Sequence, residues 1–200
     1  MGLPTMKIEQ TQITKLLISD LMGEPYKLDP VTVILEDFEP GKGRIIIECY
    51  GKSWSAGWSA MSGRTVAQFV SDCGDEYIIG CMTSVSRQMF SPKELVKLAR
   101  RAIIDRRRRR GLYWEYGEAL ERDEARALYD QAEELRYMEN INDGRAHNEM
   151  LTSLFGQEWW HMVDGEAVEP NPSYLYLQRI VLAVQAGLVQ AGLAQGKVAA

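Results

Sequence analysis

The chain has 200 residues, of which 46% are apolar and 26% charged, with a formal net charge of −5 and a pI near 5.2. That balance excludes a uniformly basic nucleic-acid coat protein, yet it permits a local basic patch. Three widely spaced cysteines (Cys49, Cys73 and Cys81) and two histidines give neither a disulfide framework nor a zinc pattern, so no metal or other cofactor is expected.

The N-terminal sequence MGLPTMKIEQ lacks the apolar core of a signal peptide. The uncharged stretch at 180–196 is too short and too polar for a membrane span. A cytoplasmic protein without a membrane partner is the expectation.

Along the first ninety residues the pattern is strand-like. Alternation begins within Met6–Leu17, and Val31–Leu35 is a β-branched run. Pro40–Gly43 makes a turn before Arg44–Tyr50, which predicts an antiparallel hairpin. A further strand follows Tyr50-Gly51-Lys52 over Ser53–Met61, where period-two spacing puts Trp54 and Trp58 on one face. Two tryptophans so placed are expected to be core residues under a helix. Thr65 caps a short helix through Asp72 that turns Val66, Phe69 and Val70 to the sheet. Asp75–Met82 is either another strand or a second short helix.

Ser91-Pro92-Lys93-Glu94 is a helix start, with serine at the N-cap and proline at the first helical position. Leu95, Leu98, Ala99, Ala102 and Ile103 mark its apolar face. Between Ser91 and Arg110 stand nine basic and two acidic residues, ending in five consecutive arginines, Arg106–Arg110, before Gly111 stops or bends the helix. From Glu115 to Glu139 the sign reverses, with nine acidic and three basic residues, and Ala125, Leu128, Ala132 and Leu135 recur at helical spacing. Two such helices on a short link are expected to pack antiparallel and match their charges. A loop over Asn140–Gly144, a helix over His147–Phe155 and a last helix from Ser173 to Leu193 complete the chain. In the last of these Ala183, Gly187 and Ala191 form one row that lets another helix approach. The whole predicts an α+β protein, with an antiparallel sheet-rich region over 1–90 and a helical region over 91–200.

Four groups are candidates for chemistry. Arg106, Arg107, Arg108, Arg109 and Arg110 suit phosphate or carboxylate through paired charge-assisted hydrogen bonds. Tyr113 and Trp114 follow directly and could stack on bases or anchor a protein interface. Glu118, Glu121, Glu124, Asp130, Glu133 and Glu134 could offer a phosphate-like array to a basic groove, or neutralise the arginines within the fold. Asp143, His147, Glu149 and His161 hold proton-transfer groups but match no catalytic motif, so catalysis ranks last.

The stretch from Leu28 through Met82, LDPVTVILEDFEPGKGRIIIECYGKSWSAGWSAMSGRTVAQFVSDCGDEYIIGCM, resembles small bacteriophage and prophage accessory proteins. They share its order of acidic strand, glycine-rich hairpin, cysteine-containing strand, tryptophan-rich strand and short helix. The resemblance implies a stoichiometric inhibitor or adaptor rather than an enzyme, and brings no catalytic residues. Its expected partner is a host or competing-phage complex that handles nucleic acid, defence complexes included. Direct contact with DNA or RNA through Arg106–Arg110 is the alternative, and a homodimer is also among the partners allowed.

Overall fold

The structure is a computed structural model that describes residues 11–23, 25–111, 113 and 118–195. Its elements divide into two compact units: residues up to Val85 together with those from Pro172 onward, and Ser86–Asn171.

The first unit is built on a four-stranded antiparallel sheet in chain order, β1 (Thr14–Ile18), β2 (Val31–Glu39), β3 (Lys42–Cys49) and β4 (Lys52–Trp58). Alternation decides its faces. Val31, Val33 and Leu35 on β2 and Ile45, Ile47 and Cys49 on β3 are buried, while residues between them face outward. Tyr50 and Gly51 join β3 to β4 with φ of 48° and 71°, the positive values that two-residue hairpins favour.

A register shift between Asp37 and Glu39 frees the Asp37 carboxylate to accept the Val66 N–H at 2.7 Å, which anchors α1 (Val66–Asp72) to the β2–β3 hairpin. Gly43 permits that approach. A Cβ there would run into the Glu36 carbonyl oxygen and a Val66 methyl.

Thr65 caps α1 as its sequence indicates, accepting the Gln68 N–H at 3.3 Å. Asp75–Met82 resolves as a helix, α2, with Asp75 and Glu76 at the end where the dipole favours acids. The tryptophans finish the core: Trp58 packs on Phe69 at 5.2 Å between centroids, and Trp54 on Tyr176 at 6.2 Å. They thus meet two helices, α1 and the last one, α7 (Pro172–Gln190), instead of the one expected.

Placement of α7 departs from a division into 1–90 and 91–200. Tyr174, Leu177, Ile180, Val181, Val184 and Leu188 bury its apolar stripe in the sheet core. Helical periodicity identifies that stripe but cannot say which distant surface it covers. The small-residue row also has a different partner. Gly187 lies against the Ile18 side chain of β1, where a Cβ would be too close, so the close approach is to a strand and not to a helix.

The second unit closes on itself. Strands β5 (Gln88–Phe90) and β6 (Val168–Pro170) pair antiparallel, and the Ser91 N–H donates to the Ala167 carbonyl at 2.9 Å. The two ends of the unit therefore lie side by side, which is what lets a segment of this length interrupt another unit.

Its long helix α3 (Pro92–Arg108) starts at Ser91, whose buried hydroxyl accepts the Glu94 N–H and donates to Glu169 Oε2 at 2.9 Å. Around α3 stand α4 (Arg122–Gln131), a 3₁₀ turn Ala132–Tyr137, α5 (Asn148–Phe155) and α6 (Trp159–Glu166). The acidic helix expected from Glu115 to Glu139 is thus shorter and tightens into 3₁₀ geometry. The loop expected at Asn140–Gly144 resolves as the cap, Asn140, and first residues of a 3₁₀ turn, Ile141–His147, in which Gly144 is buried under the Trp159 ring.

Candidate anion-binding site

Five identical letters in sequence become two different things in space. On α3, Leu95, Ala99, Ala102 and Arg106 recur on the inward face, and Arg106 is only 5% exposed. Its guanidinium donates from Nη1 to the Ser153 carbonyl at 2.7 Å and to Ser153 Oγ at 3.2 Å. From Nε and Nη2 it donates to the Glu118 carbonyl at 3.2 and 2.8 Å. Arg106 therefore binds α3 to α5 and to the chain before α4, and is withdrawn from the expected partner-binding set. Helical spacing carried that signal, since the apolar positions of α3 lead to 106 and not to its neighbours.

The other four are outside. Helix α3 ends at Arg108, Arg109 turns the chain with φ 51° and ψ 43°, and the Arg110 N–H returns to the Asp105 carbonyl at 3.0 Å. The tight return passes through Gly111 at φ 85°, a backbone conformation that favours glycine, packed against the Asp105 carboxylate that a Cβ there would displace. Arg107, Arg108, Arg109 and Arg110 are all exposed, and none forms an ion pair with a carboxylate among the described residues.

Among the described residues the expected internal neutralisation is confined to one place. Arg100 donates to Glu133 Oε2 at 2.9 Å and lies over the Tyr129 ring at 4.6 Å, and Arg136 takes the other oxygen of Glu133. The remaining acids have varied situations. The Glu121 N–H donates to Glu124 Oε2 at 3.3 Å at the start of α4, while Glu118, Asp130 and Glu134 are exposed. Arg122, Arg126 and Arg136 are interleaved with them, so these carboxylates do not form an unbroken acidic ridge.

The aromatic residues after the run part company as well. Tyr113 is 2% exposed and meets Phe155 edge-on at 5.8 Å, so its ring is core and has no face for a base. Trp114, and Tyr116 after it, lie outside the described residues.

The proton-transfer candidates are also separated by their local roles. Asp143 accepts the N–H groups of Asn140 at 2.9 Å and Glu139 at 2.8 Å, and these donors hold its carboxyl below the usual carboxylate range. His147 is half-buried at the start of α5, whereas His161 is exposed beside the Trp160 ring. Because Asp143 is depressed in the folded chain, its contribution is complete above the unfolded-state value and is lost as pH falls through the lower folded one. Acidification below about pH 4 is expected to loosen the 139–147 turn, read as faster amide exchange there. Asp143→Asn should show the looser turn already at neutral pH.

Among the described residues no cluster of three or more His, Cys, Asp or Glu side chains is arranged to hold a metal ion. None of the described helices is long and apolar enough to cross a membrane.

Sheet unit, helical unit and exposed arginine cluster together define an α+β protein with a localised cationic surface on an otherwise acidic chain. A model of a phage protein family matches residues 6–190, and the chain belongs to that phage family. Comparisons with curated proteins and with solved structures found no match.

Proposed function

We propose that this phage protein works by binding and not by catalysis, docking on and modulating or inhibiting a nucleic-acid-associated or defence complex in the host cytoplasm. One observation carries the reading. Four exposed guanidinium groups, Arg107–Arg110, stand at the end of a helix without a carboxylate partner among the described residues, while Arg106 beside them fixes that helix end. Leaving four like charges together costs repulsion that an anionic partner relieves. Fixing the helix end lowers the entropy lost on docking. The α4 carboxylates serve a phosphate-mimicking role less well, because arginines interrupt them and Glu133 is already paired.

A second reading, direct contact with DNA or RNA, draws on the same guanidinium groups, which suit phosphate. Burial of Tyr113 weighs against it by removing one of its two stacking residues. Titrations of the protein against polyglutamate, short duplex DNA, single-stranded DNA and RNA over a range of salt test both. Polyanion binding that weakens steadily with salt is the expected result. Nucleic acid bound far more tightly than polyglutamate would favour the second reading, and no polyanion binding at low salt would contradict both.

A further inference from the structure

Beside the arginine cluster, α3 and α4 enclose a groove of about 370 Å³ within the second unit. Its character differs from the cluster's. Ile104 and Tyr129 are each 38% exposed there, and Ala125 lies between the helices. Arg107, Arg108 and Arg126 stand around this apolar surface, and Asp130 is the one carboxylate lining it among the described residues.

Resting on the binding reading above, we propose that this groove receives an acidic segment of a partner protein, with one aliphatic or aromatic side chain seated on Ile104 and Tyr129. Charge and surface type together select that occupant. Three guanidinium groups against one carboxylate favour an anionic chain, but a phosphate backbone would leave Ile104 and Tyr129 wet. An apolar side chain flanked by carboxylates satisfies both parts at once. A nucleobase fits less well, because Tyr129 already carries Arg100 over its ring at 4.6 Å and no second aromatic ring among the described residues lines the groove. Arg100 is in turn tied to Glu133 at 2.9 Å, so the Tyr129 wall is set before a partner arrives.

The test is selection of random short displayed peptides on the full chain, followed by titration of the enriched peptides. Enrichment of peptides with several Asp or Glu around one large apolar residue is expected. Their affinity should fall at least about tenfold with Ile104→Gln, and again when the peptide's apolar residue becomes alanine. Arg126→Glu, at an exposed position on the opposite helix, should weaken them similarly and guards against a folding defect in the first variant. Duplex DNA affinity should not respond to Ile104→Gln.

Enrichment without acidic residues, or acidic peptides indifferent to Ile104→Gln and to loss of their apolar residue, would overturn the groove while polyanion binding still upheld the broader reading. Failure of the wild type to bind any polyanion would remove that reading as well.

Discussion

A chain ended at Asn171 should lose the fold of its sheet unit while its helical unit survives. The side chains Tyr174, Leu177, Ile180, Val181, Val184 and Leu188 of α7 are all buried there, the last four fully. At about 1.5–3 kcal/mol for each large apolar side chain, their burial is of order 10 kcal/mol, comparable to the net stability of a whole domain. Without them Val31, Val33, Ile45 and Ile47 lose part of their cover, and α1 and α2 lose a common partner, including the Gln185 amide that donates to the Val70 and Cys73 carbonyls. Amide exchange should collapse to unprotected rates over β2–β4 and stay slow over α3 and α5. Ser86–Asn171 expressed alone should keep its helices, because the β5–β6 pair joins its ends. Retained protection in β2–β4 of the shortened chain would show that α7 is dispensable.

Arg106→Ala should destabilise the helical unit by about 3 kcal/mol, since it removes a buried guanidinium that ties α3 to the Glu118 and Ser153 carbonyls through charge-assisted hydrogen bonds. For a unit of this size that is a fall in Tm of roughly 10–20 °C. Arg106→Lys should recover little. An ammonium group is compact, whereas the guanidinium reaches both carbonyls with a planar fork. Each of Arg107, Arg108, Arg109 and Arg110 changed to serine should move stability by no more than about 0.5 kcal/mol, being exposed and without ion pairs to described carboxylates. A uniform response along the run would contradict the separation of Arg106 from its neighbours.

How legible these features are in sequence depends on the range of the forces behind them. The β2–β3 hairpin, the Thr65 and Ser91 caps and the tryptophan face are set by period, turn chemistry and side-chain hydrogen bonds within a few residues. They stand where the sequence puts them. Asp75–Met82 is ambiguous because a short apolar run has no decisive period, and acids in its first turn with a helical partner in α7 decide for helix.

The return of α7 to the sheet is a long-range choice, and nothing in its own pattern distinguishes the sheet from α3 as a partner. The arginine run illustrates a subtler loss. Charge and composition treat Arg106–Arg110 alike, while the face defined by Leu95, Ala99 and Ala102 separates Arg106 from the rest. Tyr113 is hidden for a related reason: its proximity to cations suggests stacking, but Phe155, more than forty residues away, claims its ring.

The most direct test of the central claim pairs a melting curve with polyglutamate binding at low salt for three proteins: wild type, Arg106→Ala, and the chain with Arg107, Arg108, Arg109 and Arg110 all changed to serine. The expected result is that the fourfold variant melts with the wild type and loses binding, while Arg106→Ala melts well below both. A fourfold variant that binds as tightly as wild type would contradict the assignment of Arg107–Arg110 to an anionic partner.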